Sequence, residues 1–230
     1  MEKLVQTYAA GRLELAIARA DLPPEALFDF AERQNPHRVF LFVSKVLGRH
    51  IPVAPSVMRD IQQRLADSIT LSPDMQTLFV GMAETAVGLG AGVFRCCRKT
   101  YSDSCYLAST RHIFAAPRLA EFEEAHSHAM RHILYRPHGV TLGDKPLHLV
   151  AVDDEMTTGD TFLHLCEALQ GTGLSLRRVT RVVIVDWSPA TAKTALPWPG
   201  RWRPRPPPLP TSASRPGPHA AGTRSGWPSA

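Results

Sequence analysis

One run of thirteen residues, 149–161 (LVAVDDEMTTGDT), limits the folds open to this chain more than any other feature. Its four leading apolar residues lie between Pro146 and a polar segment, which predicts a short buried strand. Threonines and Gly159 follow, and then a helix-like stretch over residues 160–170. We therefore expect a strand, a loop and a helix in succession, which is the repeating unit of an α/β sheet.

The strand and the loop of this unit carry complementary chemistry. Asp153 and Asp154 follow the apolar residues directly, so we expect them at the carboxyl end of the strand, where open α/β sheets bind ligands. A glycine-containing turn that leads into a helix presents backbone N–H groups to an anion. Carboxylates beside such an anion site suit a sugar phosphate, which offers hydroxyl groups as well as a phosphate.

The order of two acids, Thr157, Thr158, Gly159 and Thr161 resembles the phosphoribosyl-pyrophosphate (PRPP) motif of type I phosphoribosyltransferases at all thirteen positions. The resemblance implies an α/β fold with a doubly wound, mostly parallel sheet. It also implies transfer of the phosphoribosyl group of PRPP to a nitrogenous base, with release of pyrophosphate and usually with Mg²⁺. An acidic turn before a capped helix is the alternative, but this complete order of residues is much rarer than two adjacent acids.

The same resemblance implies roles for the residues of the motif. Asp153 and Asp154 would be catalytic, accept hydrogen bonds from the ribose hydroxyls and lie near Mg²⁺ that is held largely through the substrate. We expect the Asp160 side chain to point away from the phosphate and cap the helix. The loop expected to bind the 5-phosphate of PRPP consists of Thr157, Thr158, Gly159, Asp160 and Thr161.

Two positions of the motif bear on the acceptor base. Purine-using relatives often carry an aspartate at the position of Thr157, whereas orotate-type members carry a neutral residue. Thr157 therefore disfavours 6-oxopurines and points towards a pyrimidine-like base. Glu155 is a third acid that many relatives lack, and the sequence assigns it no role.

A second segment, residues 79–85 (FVGMAET), has the place of the family's pyrophosphate loop, with a strand, a short turn and a small-residue helix. Backbone N–H groups of residues 83–86 would hold pyrophosphate at the helix start. An ordinary turn capped by Thr85 is the alternative. Glu84 is an awkward neighbour for an anion unless it contacts a metal or a cationic base. The expected pyrophosphate-binding residues are Ala83, Glu84, Thr85, Arg111 and His126.

A polar segment over residues 111–143, where we expect a mobile excursion containing a helix, carries His126, His128, His132 and His138. Type I enzymes have a flexible loop here that closes over PRPP, which implies that His126 and Arg131 contact pyrophosphate. The alternatives are a solvated histidine-rich helix and a zinc site of His128 and His132, four residues apart, although no H-E-x-x-H pattern supports the latter. Arg111 and His112 either reach the base or pyrophosphate, or lie on the surface.

Further segments indicate a subgroup within the family. Five segments together resemble the orotate-phosphoribosyltransferase-like proteins of bacterial tellurium-resistance gene clusters: residues 35–38 (NPHR), 45–50 (KVLGRH), 79–90 (FVGMAETAVGLG), 109–112 (STRH) and 124–129 (EAHSHA). Members of that subgroup usually continue into a second C-terminal domain, which we do not find in this sequence. A non-catalytic module that senses PRPP or a nucleotide, and an inactive C-terminally truncated fragment, are therefore the alternatives to an active enzyme.

The last part of the chain differs in composition from the rest. Residues 189–230 hold eleven prolines, six Lys or Arg residues and no acid. Because the formal net charge is +5, residues 1–188 carry a net charge of −1, so the positive charge gives no reason to expect nucleic acid as a partner. We predict an N-terminal arm or hood element at 1–34, a phosphoribosyltransferase domain at 35–188 and a disordered Pro/Arg-rich tail at 189–230.

Cysteines and hydropathy bear on location. The spacing of the four cysteines fits no zinc framework, and we expect reduced thiols in the cytoplasm. The first twenty residues carry charges throughout, and no stretch reaches the roughly 18 apolar residues of a spanning helix. The expected partners are PRPP and a small base, without membrane or nucleic acid, and the family expectation is a homodimer.

Patterns elsewhere in the chain predict the remaining elements. Strands alternate with helices from about residue 77 to residue 186, which favours a parallel sheet with helices on both faces. The individual predictions are a helix at 24–33, a strand or helix at 39–43, a helix beginning at Pro55, a strand at 77–80, a helix at 86–94, and strands at 105–109 and 179–186.

Overall fold

The computed structural model of the chain describes residues 2–8, 11–32, 40–123 and 131–188. Its elements are, in chain order, β1 (Glu2–Tyr8), β2 (Gly11–Ile17), α1 (Pro24–Leu27), β3 (Phe28–Glu32), β4 (Phe40–Ser44), α2 (Pro55–Asp67), β5 (Gln76–Gly81), α3 (Val87–Arg98), β6 (Ser104–Ala108), β7 (Arg118–Glu123), β8 (Arg131–Tyr135), β9 (Leu147–Met156), α4 (Asp160–Gly171) and β10 (Leu176–Asp186).

Four parallel strands in the order β10-β9-β5-β6 form the central sheet. Every residue of β5 and the first six residues of β9 are buried, which requires the near-continuous apolar sequence of a sheet covered on both faces. Helix α3 packs on β5, β6 and β9, and α4 packs on β10. The predicted doubly wound, mostly parallel sheet flanked by helices is confirmed.

The strand order places a topological switch point between β5 and β9. From β5 the chain proceeds outwards to β6, and it then returns to the other side of β5 to form β9 and β10. The connections that leave β5 and β9 therefore run in opposite directions and open a crevice at the carboxyl ends of these two strands. Open α/β sheets bind their ligands in this crevice.

Strand β9 is longer than the sequence predicts. Asp153 and Asp154 lie inside it rather than after it, because β10 pairs with β9 as far as Met156. On the other side, β5 pairs with β9 only as far as Val152. The last four residues of β9 therefore extend past β5 with one edge facing the switch point, which keeps both carboxylates at the predicted end of the sheet.

Three helices agree with their sequence signals. Helix α2 begins at Pro55, as predicted, and buries Ile61, Gln62 and Ala66. Helix α3 runs four residues further than predicted, to Arg98. Helix α4 has its N-cap at Gly159, whose φ of +84° lies in the left-handed region that glycine adopts without steric cost.

The predicted helix at residues 24–33 is wrong beyond its first turn. Helix α1 ends at Leu27, and β3 pairs antiparallel with β4, which settles the described part of the ambiguous segment, residues 40–43, as a strand. Strand geometry places Phe28 and Phe30 on one face. Their rings lie 5.4 and 5.9 Å from that of Trp187, and Phe42 completes the cluster. Tertiary contact between aromatic rings therefore overrides local helix formation.

Two antiparallel hairpins depart from the sequence expectations. Strands β1 and β2 form one where only an N-terminal arm was expected. Strands β7 and β8 form the other within the polar segment 111–143, so the helix predicted there is wrong for the residues that are described. His132 lies on β8 and is 2% exposed, which contradicts both a solvated helix and a helical His128–His132 zinc pair. His138 is exposed.

Several sequence expectations fall outside the described ranges. These are the tail at 189–230, the NPHR segment, and the histidines His126 and His128. Within the described ranges, no helix combines the length and apolar character needed to cross a membrane. All four cysteines are free, and burial raises the pKa of Cys97 and Cys105 to about 11 and that of Cys166 to about 12. These three thiols are uncharged at neutral pH.

A buried histidine predicts how the stability of the fold depends on pH. His148 on β9 is fully buried with its Nε2 2.9 Å from Thr180 Oγ1, and burial, helped by the charge of Arg178, lowers its pKa to about 4. Between pH 6.5 and 4 the unfolded chain binds a proton that the folded chain excludes. We expect the free energy of unfolding to fall as the pH decreases through this range, measured by urea denaturation.

The variant His148→Gln, which cannot titrate, should show a smaller loss of stability between pH 7 and pH 4 than the unmodified chain. His138→Gln, which removes an exposed histidine, is the matched control. An unchanged pH dependence in His148→Gln would contradict the assignment.

Candidate active site

Two acidic side chains occupy the part of β9 that extends past β5. Burial alternates along this stretch, so that Asp153 and Glu155 are half-buried whereas Asp154 and Met156 are buried. Asp154 is 9% exposed, and its backbone N–H donates to Asp153 Oδ1 at 2.9 Å. The adjacent carboxylates therefore belong to opposite faces of the strand end.

These carboxylates form a negative edge. Burial, together with the neighbouring charge of Asp154, raises the pKa of the Asp153 carboxyl well above its ordinary value. Within the described part of the chain neither acid forms an ion pair, and no group of three His, Cys, Asp or Glu side chains converges to hold a metal. Carboxylate oxygens fit a hard cation such as Mg²⁺, which would need its remaining ligands from a bound substrate and water.

Glu155, for which the sequence suggests no role, contacts the aromatic cluster. Its Oε2 accepts a hydrogen bond of 3.2 Å from the indole Nε1 of Trp187. The backbone N–H of Trp187 donates a second hydrogen bond, to Met156 O at 2.8 Å. These two bonds attach Trp187, and with it the ring of Phe30, to the end of β9. The aromatic cluster of β3 and β4 therefore lies beside the carboxylate edge.

The loop after β9 leads directly into α4. Thr157 and Thr158 are exposed, whereas Gly159, Asp160 and Thr161 are half-buried. The Asp160 N–H donates to Thr158 Oγ1 at 3.3 Å. The prediction that Asp160 caps the helix is wrong, because Gly159 takes the N-cap position and Asp160 is the first helical residue. An acidic residue in the first turn still interacts favourably with the helix dipole.

A cation that sequence reasoning missed lies beside this loop. Arg181 of β10 places Nη1 3.6 Å from Met156 Sδ, and a Cβ added to Gly159 would lie 3.3 Å from the same Nη1. Arg181 has no carboxylate partner among the described residues. Its one sequence signal is that it precedes the apolar run VVIV of the last strand. A guanidinium beside a helix N-terminus strengthens a site for anions.

The turn after β5 is held by neighbouring strands. The Met82 N–H donates to Val152 O at 2.9 Å, the Ala83 N–H to Ser109 Oγ at 2.8 Å, and the Ala86 N–H to Met82 O at 3.0 Å. The amides of Ala83 and Ala86 are therefore occupied, contrary to the expectation that all of residues 83–86 offer donors. In the described part of the chain, the amides of Glu84 and Thr85 have no acceptor, which leaves them for an anion.

Glu84 has a different partner from the metal or cationic base that the sequence suggested. Its Oε2 lies 3.0 Å from Arg49 Nη2, and Arg49 belongs to the KVLGRH segment. Both side chains are about half exposed, so the pair contributes little to stability. The cation nevertheless offsets the negative charge of Glu84 beside the two amides.

Arg111 and His112 follow Ser109 in the connection between β6 and β7. Arg111 is half-buried and His112 is exposed, with its carbonyl oxygen accepting a hydrogen bond of 3.2 Å from the Tyr135 hydroxyl. Thr110 exchanges backbone hydrogen bonds with Ile133 of β8. The connection is thus attached to the β7–β8 hairpin, and the fifth expected pyrophosphate ligand, His126, lies outside the described ranges.

A close contact between α3 and β5 determines the position of this turn. A Cβ added to Gly90 of α3 would lie 2.8 Å from the Cα of Gly81 and 3.1 Å from the ring of Tyr106. The Tyr106 hydroxyl donates to Val87 O at 2.7 Å. Because backbone meets backbone at Gly81 and Gly90, the start of α3 can lie directly against the end of β5.

The family of the chain follows from comparison with known proteins. A family model described as phosphoribosyl transferase matches residues 27–197. The match covers most of the chain, and this chain belongs to the phosphoribosyl transferase family. A search of curated proteins returns no match.

Solved structures with a similar fold include three enzymes. The APRTase of Giardia lamblia, complexed with 9-deazaadenine, has a TM-score of 0.50 and 14% identity over 70% of this chain and 82% of its own. Adenine phosphoribosyltransferase of Rhodothermus marinus has a TM-score of 0.49 and 12% identity, over 70% of this chain and 95% of its own. The adenine phosphoribosyltransferase of Trypanosoma brucei, in complex with AMP, pyrophosphate and ribose-5-phosphate, has a TM-score of 0.49 and 17% identity, over 76% of this chain and 72% of its own. The similarity to the Giardia lamblia structure supports the fold alone.

The contact between α3 and β5 predicts opposite effects for two glycine substitutions. Gly90→Ala places a methyl group against the Gly81 backbone and should lower the free energy of unfolding by about 1–3 kcal/mol. Gly88→Ala is the matched control, since its Cβ meets only Met58 Cε at 3.7 Å. It should raise stability by about 0.5–1 kcal/mol because alanine favours a helix. Urea denaturation measures the free energy of unfolding of both variants. Equal effects of the two substitutions would contradict the close contact between Gly90 and Gly81.

Proposed function

We propose that this protein transfers the phosphoribosyl group of PRPP to a nitrogenous base and releases pyrophosphate, in a Mg²⁺-dependent reaction. The observation that carries the proposal is the convergence of three chemistries at one switch point. The carboxylate edge of β9, the glycine loop before α4 and the donor turn after β5 all leave the same end of the sheet. PRPP has a diol, a phosphate and a pyrophosphate, which need these three kinds of partner.

The carboxylates would act on the ribose. We infer that Asp153 and Asp154 accept hydrogen bonds from the 2- and 3-hydroxyls, which relieves the repulsion between two adjacent acids. Their negative charge would also stabilise the positive charge that develops on the ribose as pyrophosphate leaves. Mg²⁺, when bound near Asp153 and Asp154, would offset the negative charge of the departing pyrophosphate.

The two anionic ends of PRPP would bind at separate loops. We assign the 5-phosphate to the loop of residues 157–161, where the N-terminus of α4 and the guanidinium of Arg181 supply positive potential. We assign pyrophosphate to the Glu84 and Thr85 amides of the turn at residues 83–85, with Arg111 and His126 as additional candidate contacts. This assignment of the 5-phosphate and the pyrophosphate to separate loops explains why the site has two donor loops, which follow neighbouring strands.

The acceptor base and the cellular setting are also part of the proposal. Thr157 is exposed and neutral, which favours a pyrimidine-like base over a 6-oxopurine. We propose membership of the subgroup found with tellurium-resistance genes, location in the cytoplasm and a homodimer. Residues 1–34 would supply part of a hood over the domain at 35–188, through the pairing of β3 with β4.

Replacing both carboxylates tests the mechanism. In Asp153→Asn/Asp154→Asn we expect turnover to fall at least about a hundredfold, because the ribose and its developing charge lose their partners. The melting temperature should stay equal or rise, since the like-charge repulsion is removed. Turnover is measured as pyrophosphate release with a panel of bases. Binding of PRPP is measured by calorimetric titration, with and without Mg²⁺.

Asp144→Asn, which neutralises an exposed acid between β8 and β9, is the control, and it should change neither the turnover nor the melting temperature. Unchanged turnover in the double variant would exclude the mechanism. PRPP binding by the unmodified chain without pyrophosphate release for any base would indicate a sensing module instead. No binding by a folded chain would indicate an inactive fragment.

Replacing the loop cation tests the 5-phosphate assignment. Arg181→Met should weaken ribose 5-phosphate binding about tenfold, the usual effect of losing a hydrogen bond to a charged group, and leave pyrophosphate binding unchanged. Arg177→Met, which removes an exposed arginine of the same strand, should leave both affinities unchanged. Calorimetry with each ligand measures these affinities, and equal ribose 5-phosphate binding by Arg181→Met would reject its role.

A further inference from the structure

A buried serine joins three strands beside the turn at residues 83–85. Ser109 follows β6 and is 2% exposed. Its N–H donates to Gly81 O at 3.0 Å, and its Oγ accepts the Ala83 N–H at 2.8 Å. The same Oγ lies 3.0 Å from Nδ1 of His132 on β8. One side chain thus connects the end of β5 with the β7–β8 hairpin.

The direction of the second hydrogen bond follows from the donors available. Within the described part of the chain, the Ser109 hydroxyl hydrogen has His132 Nδ1 as its one acceptor. If Nδ1 carried a proton, this buried hydroxyl hydrogen would have no partner, which is costly. The arrangement that gives the hydroxyl hydrogen an acceptor runs from the Ala83 N–H to Ser109 Oγ and from Ser109 O–H to His132 Nδ1. His132 is then the neutral tautomer with its proton on Nε2.

The histidine at the far end of this chain of hydrogen bonds is rigidly held. His132 is 2% exposed, and its ring stacks on Phe122 at 5.0 Å between centroids and 14° between planes. The next residue, Ile133, exchanges two backbone hydrogen bonds of 2.8 and 3.0 Å with Thr110. His132 is therefore a fixed acceptor rather than a side chain that adapts to its surroundings.

We propose that Ser109 and His132 are positioning residues for pyrophosphate binding. They touch no substrate. They hold the Ala83 amide, and through it the amides of Glu84 and Thr85, in the arrangement that receives the leaving group. The inference rests on the proposed function, and it gives a role to two residues outside the PRPP motif.

A positioning role and a merely structural role differ in what they affect. The hydrogen bonds end on the turn after β5, whereas the loop of residues 157–161 follows β9 and forms no hydrogen bond with Ser109 among the described residues. Loss of positioning should therefore weaken pyrophosphate binding and leave ribose 5-phosphate binding unchanged. A general loss of structure should affect both ligands.

The first experiment removes the hydroxyl. Ser109→Ala should bind Mg²⁺-pyrophosphate about five- to tenfold more weakly, as expected for loss of one buried hydrogen bond that fixes a loop, and ribose 5-phosphate about equally. Ser109→Thr, which keeps the hydroxyl, should restore most of the pyrophosphate affinity. Ser44→Ala is the matched control, because Ser44 is fully buried and its Oγ also accepts a backbone N–H, that of Val46, at 3.4 Å.

The second experiment tests the histidine by rescue. His132→Phe keeps an aromatic ring against Phe122 but removes the acceptor, and it should reproduce the selective loss of pyrophosphate affinity. His132→Asn offers an amide oxygen close to the position of Nδ1 and should recover part of that affinity. If Ser109→Ala does not fold, the His132→Phe and His132→Asn pair still decides the question.

Either of two results would overturn the inference in a chain that binds both ligands. One is an unchanged pyrophosphate affinity in Ser109→Ala and His132→Phe. The other is an equal loss for ribose 5-phosphate and pyrophosphate, which indicates a structural role only. If the unmodified chain binds neither PRPP nor pyrophosphate, the proposed function itself fails, and this inference fails with it.

Discussion

The parallel pairing of β5 with β9 is the constraint on which the rest of the structure depends. Residues 149–152 of β9 are fully buried between β5 and β10. Pairing with β5 stops at Val152, whose carbonyl accepts the Met82 N–H, while pairing with β10 continues to Met156. Because the two neighbours end at different levels, β9 presents its acids along a free edge at the switch point, directly beside the turn that leaves β5.

Several groups around this edge add little to the stability of the fold. Adjacent acids at a largely buried strand end repel each other, and burial already disfavours the charged form of Asp153. Arg181 lacks a carboxylate partner within the described residues, and two amides of the turn at residues 83–85 lack an acceptor there. A ligand with hydroxyl groups and two anionic ends would satisfy all of these groups together, which is why the site and the proposed substrate correspond.

Sequence reasoning succeeded where a pattern was long or contiguous. Helix α2, strand β5 and the strand–loop–helix unit of residues 149–161 were predictable because each buries one continuous apolar face or run. It failed at residues 28–32, where ring contacts with Trp187, far along the chain, select a strand. It also failed at His132, because polar composition suggested solvent exposure whereas the side chain is buried against Phe122 and hydrogen-bonded to Ser109.

By itself, the sequence determined the family motif, the parallel sheet and the end of the sheet at which Asp153 and Asp154 lie, since these follow from local order and strand direction. The tertiary structure alone decided which side chains complete the site. Arg181 reaches Gly159, Arg49 pairs with Glu84, and Ser109 holds the Ala83 amide. These partners are 22 to 35 residues apart in the chain. Strand pairing brings them together, and no local pattern encodes that proximity.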